Sequence, residues 1–319
     1  MPVRFTSPGL GGQRQSFLGK GEWQVGAAYR HLGADQWFVG TEVRESSAPF
    51  GQPLYLDIHS LDFSVAYGFS QRVSLALTLP LSYGTHSRLY ADLARHKVSG
   101  IGLGDVSVIG SAWLFDPAGL RSGNISLGVG LKLPTGNNEV TDDFFAADGS
   151  VTQRPVDQSI QLGDGGWGIL LQAQAFHRVG GRAQAYLLGS YLLSPRETTG
   201  VPSPIGVPLS VPDVYTARAG LVYAVWPSQG LSGSLGGRLD GIPLRDLIGG
   251  GDLGFRRPGF IFYLDPGVTL ARGRDEFTLS APIRLRQDFR QSLIDREQQF
   301  AGGGDLADLL IFAGYTHRF

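Results

Sequence analysis

Twelve stretches of this chain carry the same restriction: along each, every second residue is apolar, aromatic or small, and none of those positions is Asp, Glu, Lys or Arg. A period of two is the side-chain period of a β-strand, so each stretch presents one uncharged face. The rows run Trp23 to Tyr29, Leu61 to Phe69, Val73 to Tyr83, Val106 to Leu114, Ile125 to Leu133 and Trp167 to Ala175. They continue with Ala183 to Leu193, Tyr215 to Val225, Leu231 to Leu239, Phe260 to Leu270, Phe277 to Leu285 and Leu309 to Phe319. Charged residues make up 17% of the chain, so their absence from every row needs a cause. A face in contact with hydrocarbon supplies one, because an Arg or Lys there at mid-bilayer costs about 2–4 kcal/mol. Trp23, Tyr29, Phe69, Tyr83, Trp167, Tyr191, Tyr215 and Phe277 sit mostly at row ends, where interfacial aromatic girdles belong.

The connections point the same way. Ser70-Gln71, Val179-Gly180-Gly181, Pro227 to Gly230 and Arg272 to Asp275 are tight turns, and Asp116 to Gly123 is a little longer. The intervening connections are long: Leu32 to Pro53, Gly84 to Gly100, Gly136 to Gly166, Ser194 to Pro212, Gly241 to Pro258 and Phe289 to Asp305. A soluble sandwich has no reason to place every long loop at one end. The expectation is all-β: a single transmembrane antiparallel up-and-down barrel of about twelve strands over 20–319, with short periplasmic turns and long extracellular loops, in the bacterial outer membrane. Residues 1–19 read as a flexible lead-in that lies outside the barrel or folds into its lumen. Met1-Pro2-Val3-Arg4 opens on no secretory leader, as expected of a processed form. Outer-membrane lipids and lipopolysaccharide are the expected surroundings.

Composition removes several alternatives. No run of about eighteen apolar residues exists, which excludes a transmembrane helix. The absence of Cys excludes disulfides and thiolate metal sites, and a net charge of −1 gives no nucleic-acid footprint.

The opposite rows are small, as in Ser74-Ala76-Thr78 and Ser126-Gly128-Gly130, and among them sit charges. Arg30, Asp62, Asp105, Lys132, Arg218, Arg238, Asp240, Asp265, Arg284 and Arg286 are expected to face the lumen, as is Asp288. Such residues either pair into a stiffening network or line a solute pathway, with Arg218, Arg238, Arg284 and Arg286 as its basic side. The loop over 136–166 holds Asp142, Asp143, Asp148, Asp157 and Asp164 with Phe144 and Phe145. It reads as a solvated loop, with an inward fold or Ca²⁺ binding as the alternatives.

No enzyme is expected. None of the six His residues has a Ser two places on, as a barrel phospholipase would need, and His86, His96, Asp92 and Asp57 meet at the outer rim only through unsupported loop folding. Gly100, Gly102 and Gly104 precede no helix, so close packing explains them better than phosphate binding. No cofactor and no metal are expected.

Gly102-Leu103-Gly104-Asp105 and Gly130-Leu131-Lys132-Leu133-Pro134-Thr135-Gly136 resemble patterns of the outer-membrane family named after the meta-pathway of phenol degradation. The resemblance implies a porin-like channel passing small solutes, hydrophobic or aromatic compounds among them, with Asp105 and Lys132 at matching inward positions. The terminal Phe319, in phase with the uncharged face, looks like the signal read by the barrel-assembly machinery, which is an expected partner. The alternative function is a sealed barrel whose extracellular loops dock a partner.

Overall fold

The computed structural model describes residues 17–44, 54–117, 119, 122–203, 206–249, 254–304 and 307–319. Its wall strands are β1 (Trp23–Ala34), β2 (Tyr55–Gly68), β3 (Val73–Leu89), β4 in two pieces (Arg95–Leu103 and Ser107–Trp113), β5 (Gly123–Lys132) and β6 (Gly168–Arg178). They continue as β7 (Ala183–Leu193), β8 (Val214–Trp226), β9 (Leu231–Ile242), β10 (Gly259–Arg272), β11 in two pieces (Asp275–Ser280 and Ile283–Phe289) and β12 (Leu309–Arg318). Each pairs antiparallel with its sequence neighbours, and β12 returns to β1 with Ala313 opposite Tyr29, so the sheet closes. Along the paired lengths closure removes edges, which is what a sheet in lipid requires.

The uncharged rows face outward, and no described residue covers them. Leu75, Leu127 and Ile283 are 41%, 49% and 55% exposed. Trp23 and Tyr67 lie 4.6 Å apart at the periplasmic rim, and Tyr191 and Tyr215 6.4 Å apart at the other. No helix among the described residues is long and apolar enough to cross a membrane; the strands do the crossing. Leu127→Arg is therefore expected to cost about 2–4 kcal/mol of stability in a bilayer, against a much smaller loss for Leu127→Ala, read by urea unfolding in liposomes.

Three features differ from the sequence expectation. The first is length: β2 and β3 run well above the lipid belt, and the stretch expected as a loop over 84–100 is mostly strand. There the pattern inverts, with Leu56 and Ile58 buried inside and Asp57 and His59 outside. Above the lipid belt the outer face meets water, so the uncharged row that marks a strand is gone.

The second is phase. Between Phe262 and Tyr263 the β10–β11 register shifts, with Arg286 opposite Phe262 and Arg284 opposite Tyr263, leaving Leu285 as a bulge. One extra residue flips every side chain beyond it. Arg286 therefore shares the outward face of Phe262 and is exposed, and Asp288 follows it, contrary to the inward placement read from strict alternation.

The third is an interrupted wall. The upper piece of β11 pairs with β10 but not with β12, and an Arg284–Asp308 ion pair bridges the seam. Residues 38–40 fill the space beside it, Phe38 N donating to Gly304 O and Gly40 N to Phe289 O.

Candidate functional site

The lumen is layered, and each layer follows from which inward residues the strands supply. Small side chains line the periplasmic half, among them Ser74, Ala76, Ser111, Gly128 and Ser234, leaving a cavity of ≈ 320 Å³. Phe17 and Leu18 lie at its margin, and Arg318 Nη1 donates to Phe17 O at 3.1 Å. The rest of the expected lead-in, residues 1–16, lies outside the described residues.

Above the cavity comes a belt of charges. Arg218 and Arg238 are direct cross-strand partners, an arrangement that would repel if both pointed at the same spot. They diverge: Arg218 Nε reaches Asp265 Oδ2 at 2.6 Å and Arg238 Nε reaches Asp240 Oδ2 at 2.7 Å, where Thr216 Oγ1 also donates to Asp240. Arg238 additionally lies 4.6 Å over the Phe312 ring. Arg30 is buried and donates to Ser60 Oγ at 3.0 Å, while Asp62 is buried on the next strand and borders the cavity. Arg284 pairs with Asp308 and lies 4.6 Å over Phe38. A basic stripe facing solutes does not form, because Arg218, Arg238 and Arg284 each have a carboxylate of their own and Arg286 is outside the lumen.

The third layer is a loop folded inward. Where β4 breaks, Asp105 turns in and accepts from Lys132 Nζ at 2.9 Å and from Gly136 N at 3.0 Å. Lys132 Nζ also reaches Asp164 Oδ1 at 2.5 Å and Gly166 O at 2.7 Å, so the ammonium and Asp105 together tie two strands to both ends of the 136–166 connection. Glycines make the room. A Cβ on Gly84 would lie 2.7 Å from Ile160 Cγ2, and one on Gly100 would lie 2.7 Å from Ile160 O. The loop is thus not solvated as expected, and Gly100 serves its close approach rather than strand packing.

Asp157 heads the 3-10 turn Gln158–Ile160 and accepts from Ser159 N and Oγ at 2.9 and 2.7 Å. Burial pushes its carboxyl up, but the His86 ring, the Ser159 donors and the Arg88 guanidinium outweigh burial and hold it at about 2. A carboxyl depressed below its unfolded value near 3.9 stabilises the fold above that pH, and the contribution is lost as pH falls through about 2. Hydrogen-exchange protection of residues 156–163 is therefore expected to hold from pH 7 to 5 and to drop between about pH 4 and 2. Asp157→Asn should lack that step.

The folded loop completes an apolar plug across the extracellular half. Phe38, Val156, Ile160 and Ala307 from the connections pack with Leu56, Ile58, Ile261 and Phe289 from the wall, all buried. Outside the plug is a vestibule of ≈ 430 Å³ lined by Tyr90, Phe144 and Phe255 with His86, Arg88 and Arg154 among its polar groups.

No family model and no curated protein matches the chain. Among solved structures it is similar to an outer membrane channel from Pseudomonas putida F1, at 16% identity and TM-score 0.61 over 99% of this chain and 100% of the other. The chain has the fold of an outer-membrane channel. Weaker likenesses include a mutant of the TodX monoaromatic hydrocarbon channel (11% identity, TM-score 0.49, 95% and 92% covered) and the translocator domain of the autotransporter NalP from Neisseria meningitidis (14%, 0.47, 95% and 90%).

The structure brings Asp105 and Lys132 together, along with Arg218 and Asp265, and Arg238 and Asp240, while Arg286 stays apart from all of them. Asp92 pairs with His96 at 2.6 Å on the inward side of the β3–β4 hairpin, and Asp57 lies on the outward side, so the rim constellation weighed for a protease does not assemble. Sequence reasoning named Asp164 as one of five loop carboxylates but missed its pairing with Lys132, and it missed Asp308 and a buried knot in which Arg256 binds Asp246 at 2.7 Å while Asp213 accepts from Ser194 N and Leu247 N. Nothing periodic marks these loop residues; only their being charged near Pro and Gly hints at capping.

Proposed function

We propose that this barrel is an outer-membrane channel passing small hydrophobic or aromatic solutes from the vestibule, past the apolar plug, into the periplasmic cavity. The observation that carries the reading is the order of the layers. An aromatic-lined mouth leads to a closely packed apolar neck, and below it lies a cavity large enough for a small solute. A hydrated solute crossing such a neck loses hydrogen bonds worth several kcal/mol, whereas an apolar one loses none. On the inward face, the buried hydroxyls of Tyr186, Ser190 and Ser232 have no hydrogen-bond partner among the described residues. The fold shared with the P. putida channel supports the reading, as do the motif residues Asp105 and Lys132, which hold the plug's loop in place.

The packed plug also favours a second reading, a sealed barrel that docks a partner through its loops. The two separate in Gram-negative cells whose lipopolysaccharide leaflet retards apolar compounds. Expression of the barrel should speed uptake of a labelled monoaromatic compound severalfold while leaving sugar uptake near background. Equal uptake with and without the barrel would leave only the sealed reading.

A further inference from the structure

We propose that His31, Asp57 and His59 form a divalent transition-metal site, suited to Zn²⁺, on the outer wall at the extracellular margin of the lipid belt. Register creates it. His31 on β1 and His59 on β2 are direct cross-strand partners, and their rings stack at 4.6 Å with 1° between planes. Asp57, two residues along β2, is on the same face and opposite Gly33. Asp57 Oδ1 lies 2.7 Å from His31 Nε2 and 3.4 Å from His59 Nε2. All three ligand atoms fall within 4.8 Å of one another. With bonds of about 2.0–2.1 Å, a tetrahedral ion needs ligand separations of about 3.4 Å, so modest rotations of exposed side chains suffice.

A second observation supports the assignment. A ligating imidazole ordinarily hands its other N–H to an oxygen, which fixes its tautomer. His59 Nδ1 lies 2.7 Å from the Tyr29 hydroxyl, so with Nε2 on the metal, Nδ1–H donates to that oxygen. Two imidazoles with one carboxylate match zinc's preferred donors, and the half-exposed cluster leaves the fourth position to water. The site is separate from the lumen, since its residues share the outward phase of Tyr29 and Tyr83.

The test is zinc titration of the full refolded barrel in detergent, read by competition with a fluorescent chelator and by X-ray absorption. One equivalent should bind at micromolar or tighter affinity with two imidazole nitrogens in the absorption spectrum. The His31→Ala/His59→Ala pair should weaken binding at least a hundredfold, and Tyr29→Phe, which removes only the outer oxygen, by about 10–100-fold. His177→Ala, at the opposite end of the barrel, should change nothing. If the double variant fails to fold, as judged by heat-modifiable migration, Asp57→Asn carries the test with an expected loss of tenfold or more. No binding by the unaltered barrel, or equal binding by every variant, overturns the proposal. Neither outcome bears on solute passage, which is read separately.

Discussion

Lys132→Met is expected to cost the barrel about 3–5 kcal/mol, because it leaves two buried carboxylates, Asp105 and Asp164, facing each other without a cation. The substitution keeps most of the side chain's volume, so packing loss is small and the charge imbalance dominates. Two of the ties between loop and wall also depend on that ammonium, the Asp164 contact and the bond to Gly166 O. The loop over 136–166 should therefore loosen, and single-channel conductance should rise with the loss of stability. Adding Asp105→Asn and Asp164→Asn removes the stranded charges and should restore about half or more of the lost free energy. Restoration of stability without restoration of the closed state would show that the ammonium positions the loop beyond balancing charge.

Phe289→Ala is expected to have the largest effect on permeation. Phe289 is 1% exposed, stacks on Phe38 at 6.4 Å, and carries the main-chain bridge to Gly40. Truncating a buried Phe costs about 3–5 kcal/mol and opens a cavity where packing was close. Here the cavity opens in the neck between vestibule and lumen, so conductance should rise several-fold, and the preference for apolar over polar solutes should shrink. Leu127→Ala is the control, a truncated apolar side chain that faces outward, with an expected change near zero. If both substitutions act alike on conductance, the plug is not the barrier.

How far the sequence carried the structure depended on which solvent each residue meets. The wall was legible because hydrocarbon permits no charge on one face, and rows such as Val73 to Tyr83 or Ile125 to Leu133 record that requirement directly. Above the lipid the rule reverses, since Leu56 and Ile58 face a packed interior while Asp57 and His59 face outward, so a reading tuned to uncharged outer rows starts β2 late, at Leu61 in place of Tyr55. Strict alternation also misplaced Arg286, because the bulge at Leu285 comes from local pairing and leaves no mark on the residue pattern. Inward charges on regular strands, Arg218, Arg238, Asp240 and Asp265, were placed correctly by phase alone. The loop partners of Lys132 and Arg284 were not, since Asp164 and Asp308 owe their positions to chain folding over distances that no spacing encodes.

The account rests on hydrocarbon touching the outside of a closed wall. The chain contains no Cys, so single Cys residues introduced from Asn124 to Lys132 can be spin-labelled cleanly and measured in bilayers by power saturation against oxygen and a polar nickel chelate. Labels at Ile125, Leu127, Val129 and Leu131 should favour oxygen, with Ser126, Gly128 and Gly130 out of phase, giving a period of two over the whole strand. Labels at the odd positions that favour the nickel chelate, or that are shielded from both reagents, would contradict it.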